Sequence, residues 1–214
     1  YIHDWSEIYQ TYQPAVTLLG VGNICSHNEM HDSPHEAITS KGNNHIIEYN
    51  NIYNVCLLSD DAGAIYSGRS WVWYGNIIRY NCVSDLGSLE FTPDGIYLDD
   101  AVSGQKIYGN LLVNIPRNSI HIGGGRDNIV ENNVIVNSGE NAIYFDANCV
   151  EAYVKYAKMH YPINPKFAIS KLEALLNLNQ ASAIAQREYA EALFNAGRFT
   201  QAVKAYATYM SNPN

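Results

Sequence analysis

The sequence has little of what most folds are recognised by. Its four cysteines, Cys25, Cys56, Cys82 and Cys149, include no CxxC pair, which argues against zinc and for buried free thiols. It shows no signal peptide, no transmembrane run and no lipidation motif. Basic residues are scarce early on. Residues 1–150 hold 6 Lys and Arg against 17 Asp and Glu, a net −11, and such a surface repels nucleic acid and anionic membrane. The first two thirds lack the 10–15-residue amphipathic pattern of helical arrays and the leucine ladder of leucine-rich repeats. Glycine almost disappears late: of 15, only Gly197 lies beyond residue 148.

What is there instead is a repeat. Asn, any residue, an apolar residue, any residue, then Asn or Asp recurs along the chain. The copies are Asn28–Asp32, Asn50–Asn54, Asn81–Asp85, Asn110–Asn114 and Asn133–Asn137. Ile2-His3-Asp4 is the tail of another copy, so the chain opens in mid-coil and reads as a fragment. Self-similarity with a period in the twenties marks a solenoid. Each repeat holds short β-rich runs bounded by Asn, Gly and Asp, which is strand punctuation. The expectation is an all-β parallel β-helix over residues 1–148, right-handed, with the leading asparagines stacked in one turn column.

A second row keeps step with the first: Val16, Ile38, Ile65, Ile96, Ile120 and Ile143, each after a small residue. Two repeats carry a five-residue insertion between the rows, and insertions in solenoids map to loops on one face. Those insertions are expected to hold Asp60, Asp61, Asp85, Glu90 and Asp94. With the Ile row as position zero facing the core, alternation turns positions −1, +1 and +3 outward. Position −1 is small, position +1 is Thr39, Tyr66, Tyr97, His121 and Tyr144, and position +3 is Lys41, Gly68, Asp99, Gly123 and Asp146. One outer face is thus expected to have a low floor, an aromatic ridge, and Asp99 flanked by glycines. Rings beside carboxylates in an open groove suit sugar.

From about residue 149 to 214 the chain reads as an α-helical tail, carrying 7 basic and 4 acidic side chains over 151–214. Helices are expected over Glu151–His160, Phe167–Leu178, Ala183–Ala196 and Thr200–Met210. Ser182 is the N-cap of the third, and Gly197 ends it. With Tyr189-Ala190, Leu193, Gly197, Phe199, Ala202, Tyr206 and Pro213-Asn214, this tail resembles a tetratricopeptide repeat; a single repeat calls for the β-helix end, further repeats or a protein partner to complete it, and the other reading is a cap on the open end of the solenoid.

The ordered motifs Tyr12–Val16, Gly20–Asn23, His31–Ile38, Asp60–Arg69, Gly95–Asp100 and Gly123–Asn128 carry a further resemblance. They are similar to a bacterial right-handed parallel β-helix family of carbohydrate-active proteins, glycoside hydrolase family 141, over about residues 1–147. The resemblance implies the pectin lyase-like fold, polysaccharide degradation of the fucosidase or xylanase kind, and secretion or a periplasmic location for the parent family.

The candidate catalytic residues are Asp61 with Asp99 or Asp100, since glycosidases use two carboxylates about 5–9.5 Å apart. Outward parity favours Asp99. Fully extended strands would leave Asp61 too far away, so the pair requires the insertion to fold back. His35, Tyr66, Arg69, Trp71, Tyr97, His121 and Arg126 border the same face as candidate substrate-binding residues. Of Trp71 and Trp73, one is expected in the core. No metal and no cofactor is implied. A polysaccharide lyase is the second reading. It would use Ca²⁺ among Asp60, Asp61, Asp85, Asp94, Asp99 and Asp100, with Arg69 as base. A non-catalytic carbohydrate-binding β-helix with a protein-interaction tail is the third.

Overall fold

The computed structural model describes residues 1–145, 154, 157–158, 163–178 and 182–211. The chain divides into two units, Tyr1–Asp146 and Ala147–Asn214.

The first unit is three parallel sheets visited in the same order on every turn of the chain. The first sheet holds β1 (Ile2–His3), β4 (Glu29–His31), β7 (Asn51–Tyr53), β10 (Cys82–Ser84), β13 (Leu111–Ile115) and β16 (Val134–Ser138). The second holds β2 (Val16–Val21), β5 (Ile38–Asn43), β8 (Gly63–Ser67), β11 (Asp94–Leu98), β14 (Asn118–Ile122) and β17 (Asn141–Phe145). The third holds β3 (Ile24–Ser26), β6 (Ile46–Glu48), β9 (Ile77–Arg79), β12 (Lys106–Tyr108) and β15 (Ile129–Glu131). This arrangement fits a parallel β-helix, each strand pairing about 4.8 Å from its counterpart on the next coil.

Three apolar columns fill the interior, one per sheet. The central residue of the asparagine motif stacks as Ile2, Met30, Ile52, Val83, Leu112 and Ile135. The Ile row pairs in register from Val16 to Ile143. Cys25, Ile47, Ile78, Ile107 and Val130 complete the third. Cys25 and Cys56 are free and buried, and Cys82 is free and half-buried.

The repeat motif works at the corners. Its leading asparagines form a ladder inside the turn from the third sheet to the first. Asn28 Nδ2 donates to Asn50 Oδ1 at 2.9 Å, and the next three rungs, Asn50 to Asn81, Asn81 to Asn110 and Asn110 to Asn133, are each 3.0 Å. Its closing residues, Asp4, Asp32, Asn54, Asp85, Asn114 and Asn137, all have φ between 50° and 57°. Asn and Asp tolerate that left-handed backbone best after glycine. The motif is therefore one core residue between two corner residues.

The insertions lie at the bend from the first sheet to the second. Asp94, expected in an insertion, is instead the first residue of β11. Further long segments, such as 68–76, lie at the bend from the second sheet to the third. Both ends of the second sheet thus carry loops.

The second unit holds helices α1 (Pro165–Leu178), α2 (Ala183–Asn195) and α3 (Phe199–Ser211). Pro165 starts α1, where its missing N–H costs nothing, and Asn164 Oδ1 accepts from Phe167 N at 3.1 Å. Ser182 caps α2, accepting from Ala185 N at 3.1 Å. Gly197, at φ 72°, closes it, and Arg198 N donates to Leu193 O at 2.9 Å, the pattern of a Schellman end. Leu172, Leu175, Ala185, Ala192, Leu193 and Ala202 form its core. Most of the helix expected over Glu151–His160 lies outside the described residues, as do Asp146, Cys149 and Pro213-Asn214.

Candidate functional site

The site is built on the outer face of the second sheet, around Asp99. β11 ends at Leu98, and Asp99 follows it, only 5% exposed. Four donors surround its carboxylate. Tyr66 Oη donates to Oδ2 at 2.6 Å and Arg69 Nε to the same oxygen at 3.2 Å. Tyr97 Oη reaches Oδ1 at 3.1 Å, and the Asp100 backbone N–H reaches it at 2.8 Å. A buried carboxylate is tolerable only when charged or polar donors replace its water. Here it also caps its own turn, with Asp100 half-buried beside it.

Tyr66 reaches Asp99 because Gly68 leaves room. A Cβ at Gly68 would stand 2.0 Å from the Tyr66 hydroxyl. The space that the glycines clear around Asp99 is therefore filled by a phenol rather than left as open groove. Burial, and after it the Asp99 charge, pushes the Tyr66 and Tyr97 phenols well above their usual range. Both stay hydrogen-bond donors at any working pH.

Asp61 joins the same cluster. It lies exposed in the first insertion, and Tyr97 Oη approaches its Oδ1 at 3.4 Å. The nearest oxygens of Asp61 and Asp99 are thus no farther apart than two hydrogen bonds laid end to end. The insertion does fold back. Asp60 Oδ1 accepts from Thr92 N at 2.6 Å, tying it to the next insertion.

The +1 column is a stack of rings. Tyr66 meets Tyr97 edge-on at 5.5 Å, Tyr97 stacks on His121 at 4.2 Å and 12°, and His121 meets Tyr144 edge-on at 4.8 Å. The faces of Tyr97 and His121 are spent on each other, so this ridge offers hydroxyls and ring edges to a ligand rather than an open stacking platform. Of the other expected residues, Trp71 lies in the 68–76 segment next to Arg69, half-buried. Trp73 is half-buried too, and neither indole belongs to the core. Arg126 is engaged elsewhere, with Asp127 at 2.5 Å and over the Tyr74 ring at 5.7 Å. His35 is buried one coil below Tyr66, with Tyr12 N against its Nε2 at 3.5 Å.

The expected low floor at position −1 is a correction. Ala37 and Ala64 are fully buried members of the hydrophobic core, and a Cβ on Gly95 would meet Leu112 Cδ2 at 2.9 Å. Ala64 and Gly95 lie inside β8 and β11, but the ladder skips them: Gly63 pairs with Asp94 and Ile65 with Ile96, so alternation is interrupted at −1 as each strand begins. Position −2 is polar: Glu36, Gly63, Asp94, Asn118 and Asn141. Asn118 donates from N and Nδ2 to Asp94 Oδ1 at 3.0 and 2.8 Å, and Asn141 Nδ2 to Asn118 Oδ1 at 2.8 Å. Reading the Ile row two residues back would have exposed this column.

Glu36 is the carboxyl that the sequence reading passed over. It is 4% exposed, with Thr39 Oγ1 donating to Oε2 at 2.5 Å and the Trp5 indole donating to its backbone oxygen at 3.0 Å. Burial, with the Asp61 and Asp99 charges adding to it, lifts its pKa from 4.5 to about 7. The folded state therefore keeps this proton between pH 4.5 and 7, while the unfolded chain releases it. Stability from this group is full below pH 4.5 and is lost as pH rises to about 7, by on the order of 3 kcal/mol. Burial lowers the neighbouring His35, which acts oppositely: the unfolded chain gains that proton as pH falls below 6.5. The two partly cancel in the wild type. Glu36→Gln should gain stability relative to wild type as pH rises from 4.5 to 7.5. Urea titrations at the two pH values check this, and a constant difference would refute the assignment.

The carboxylates considered for calcium do not assemble. Asp60 is tied to Thr92, Asp85 accepts from Asn114 Nδ2 at 2.8 Å, and Asp94 is spent on Asn118. Among the described residues, no three His, Cys, Asp or Glu side chains are grouped to hold a metal ion.

Comparison with protein-family models, curated proteins and solved structures returns no match for this chain.

Proposed function

We propose that the first unit is a right-handed parallel β-helix that hydrolyses a glycosidic bond in a polysaccharide. Asp99 acts as nucleophile and Asp61 as acid and base. The observation that carries this is the convergence of both carboxylates on the Tyr97 hydroxyl. The 3.4 and 3.1 Å contacts to Tyr97 Oη hold the pair within the short end of the glycosidase range, about 5–5.5 Å for retention and about 6.5–9.5 Å for inversion, and retention is the reading taken. The right-handed sense follows from the preference of parallel strand crossovers, about 98%. The resemblance to glycoside hydrolase family 141 agrees with it.

In this mechanism an Asp99 oxygen attacks the anomeric carbon while protonated Asp61 gives its proton to the leaving oxygen. A glycosyl ester forms and the aglycone departs. Water then attacks the same carbon, Asp61 takes its proton, and Asp99 leaves as carboxylate. Tyr66, Tyr97, Arg69 and the Asp100 N–H hold the carboxylate in place through both steps. The helical unit is read as a tetratricopeptide-like module for a protein partner, on the strength of α2, α3 and their glycine turn.

Incubation with xylan and with aryl fucosides and xylosides tests the activity. The expected result is new reducing ends, no ultraviolet absorbance from an unsaturated product, and no effect of EDTA. Unsaturated product lost on chelation would overturn hydrolysis in favour of a calcium-dependent lyase.

A further inference from the structure

His121 has a partner that the proposed mechanism leaves unused. Its Nδ1 lies 2.7 Å from Oδ2 of Asp94, a carboxylate with no exposed surface. The other Asp94 oxygen, Oδ1, accepts both the Asn118 backbone N–H and Nδ2. Arg117 Nη1 stands farther off, 3.8 Å from Oδ2. A carboxylate oxygen fixed against Nδ1 calls for a proton on that nitrogen, which in the neutral ring leaves Nε2 with a lone pair. The ring is also locked in orientation, stacked on Tyr97 and edge-on to Tyr144.

We infer that Asp94 is a positioning residue that holds His121 with Nε2 as a hydrogen-bond acceptor for a sugar hydroxyl beside the Asp61–Asp99 pair. The ligand class is a neutral polyol ring, which offers hydroxyl donors. The sugar part of this inference rests on the proposed hydrolase reading; the tautomer part does not.

Asp94→Asn supplies the test. Asn118 continues to occupy the side-chain oxygen, so the new amide NH₂ takes the place of Oδ2 and faces His121 Nδ1. That nitrogen must then accept, and the ring proton moves to Nε2. The change is isosteric. Long-range ¹H–¹⁵N NMR on the full chain is expected to show His121 protonated at Nδ1 in the wild type and at Nε2 in Asp94→Asn. Titration with xylotetraose or methyl α-fucoside should shift the wild-type Nε2 resonance. KM should rise about 3–10-fold in Asp94→Asn and His121→Ala with kcat less affected, the scale of one neutral hydrogen bond. A wild-type ring protonated at Nε2, or an unchanged tautomer in the folded variant, overturns the positioning role. A tautomer as expected with no shift from either sugar overturns sugar recognition. Should Asp94→Asn not fold, the wild-type spectrum and His121→Ala decide alone. If the wild type releases no reducing ends from any of the glycosides, the hydrolase reading falls by itself and the tautomer assignment stands.

Discussion

Asp61→Asn should lower turnover of the active glycoside by about 10²–10⁴-fold, the usual scale of general acid–base catalysis, with the melting temperature unchanged. Asp61 is exposed and faces Tyr97 Oη at 3.4 Å, whose single proton the nearer Asp99 Oδ1 takes at 3.1 Å, so its stability cost should stay within about 0.5 kcal/mol. Asp99→Asn should lose more activity, because no nucleophile remains. It will not be silent in stability. The carboxylate accepts from Tyr66, Tyr97, Arg69 and the Asp100 N–H. An amide can accept those bonds on one oxygen only, and hydrogen bonds to a charged group are worth about 1.5–3 kcal/mol each. Asp61→Asn is therefore the cleaner variant. Azide should restore turnover to Asp99→Gly as a glycosyl azide, since truncation leaves room for a small anion where the carboxylate stood. Wild-type rates in Asp61→Asn would remove Asp61 from the acid–base role.

Much of this arrangement is legible in the sequence because a solenoid writes one instruction many times. The leading asparagines announce their ladder, since a buried amide can satisfy both of its groups only if the next coil supplies another. The closing Asn or Asp announces a left-handed corner. The Ile row and the aromatic +1 column follow from alternation once the sheet is reached. Legibility stops at the bend into the second sheet. There Ala37, Ala64 and Gly95 turn inward although parity sends them outward, Asp94 opens β11 where an insertion is expected, and Glu36 goes unread. Alternation is a property of regular extended strand, and it loses phase where the ladder skips a residue as the strand begins. The approach of Asp61 to Asp99 is likewise unwritten in any local pattern. It depends on how an insertion closes and on the length of a tyrosine side chain reaching between coils. In the tail, Ser182 and Gly197 fix the helix ends by cap chemistry alone, so those boundaries came out within a residue or two.

Asn81 sits at the middle of the ladder, 1% exposed, and its replacement tests the fold most directly. Its Oδ1 accepts from Asn50 N at 3.1 Å and from Asn50 Nδ2 at 3.0 Å. Its Nδ2 faces Asn110 Oδ1, Ile47 O and Arg79 O, each at 3.0 Å. Asn81→Ala strips a partner from groups on three successive coils and offers only a narrow buried space in return. A buried group left unsatisfied costs about 1–3 kcal/mol, and the rungs above and below can repair some of the loss. We expect a net cost of about 3–5 kcal/mol, a large share of the roughly 5–15 kcal/mol that typically holds a domain together. In a solenoid each coil touches only its neighbours, so a break in the middle coil also uncouples the two halves. Asn81→Asp should be worse still: it keeps the acceptor, loses the donor, and places a charge against two carbonyls and an amide oxygen. Asn137→Gly is the control, because Asn137 is exposed, donates to Asn114 Oδ1 at 3.0 Å, and sits at φ 57°, a corner that glycine keeps without strain; it should cost under about 1 kcal/mol. Urea denaturation followed by tryptophan fluorescence reads the first unit alone, because Trp5, Trp71 and Trp73 all lie within it. A loss in Asn81→Ala no larger than in Asn137→Gly would mean that the corner backbone, rather than the asparagine ladder, holds the coils in register.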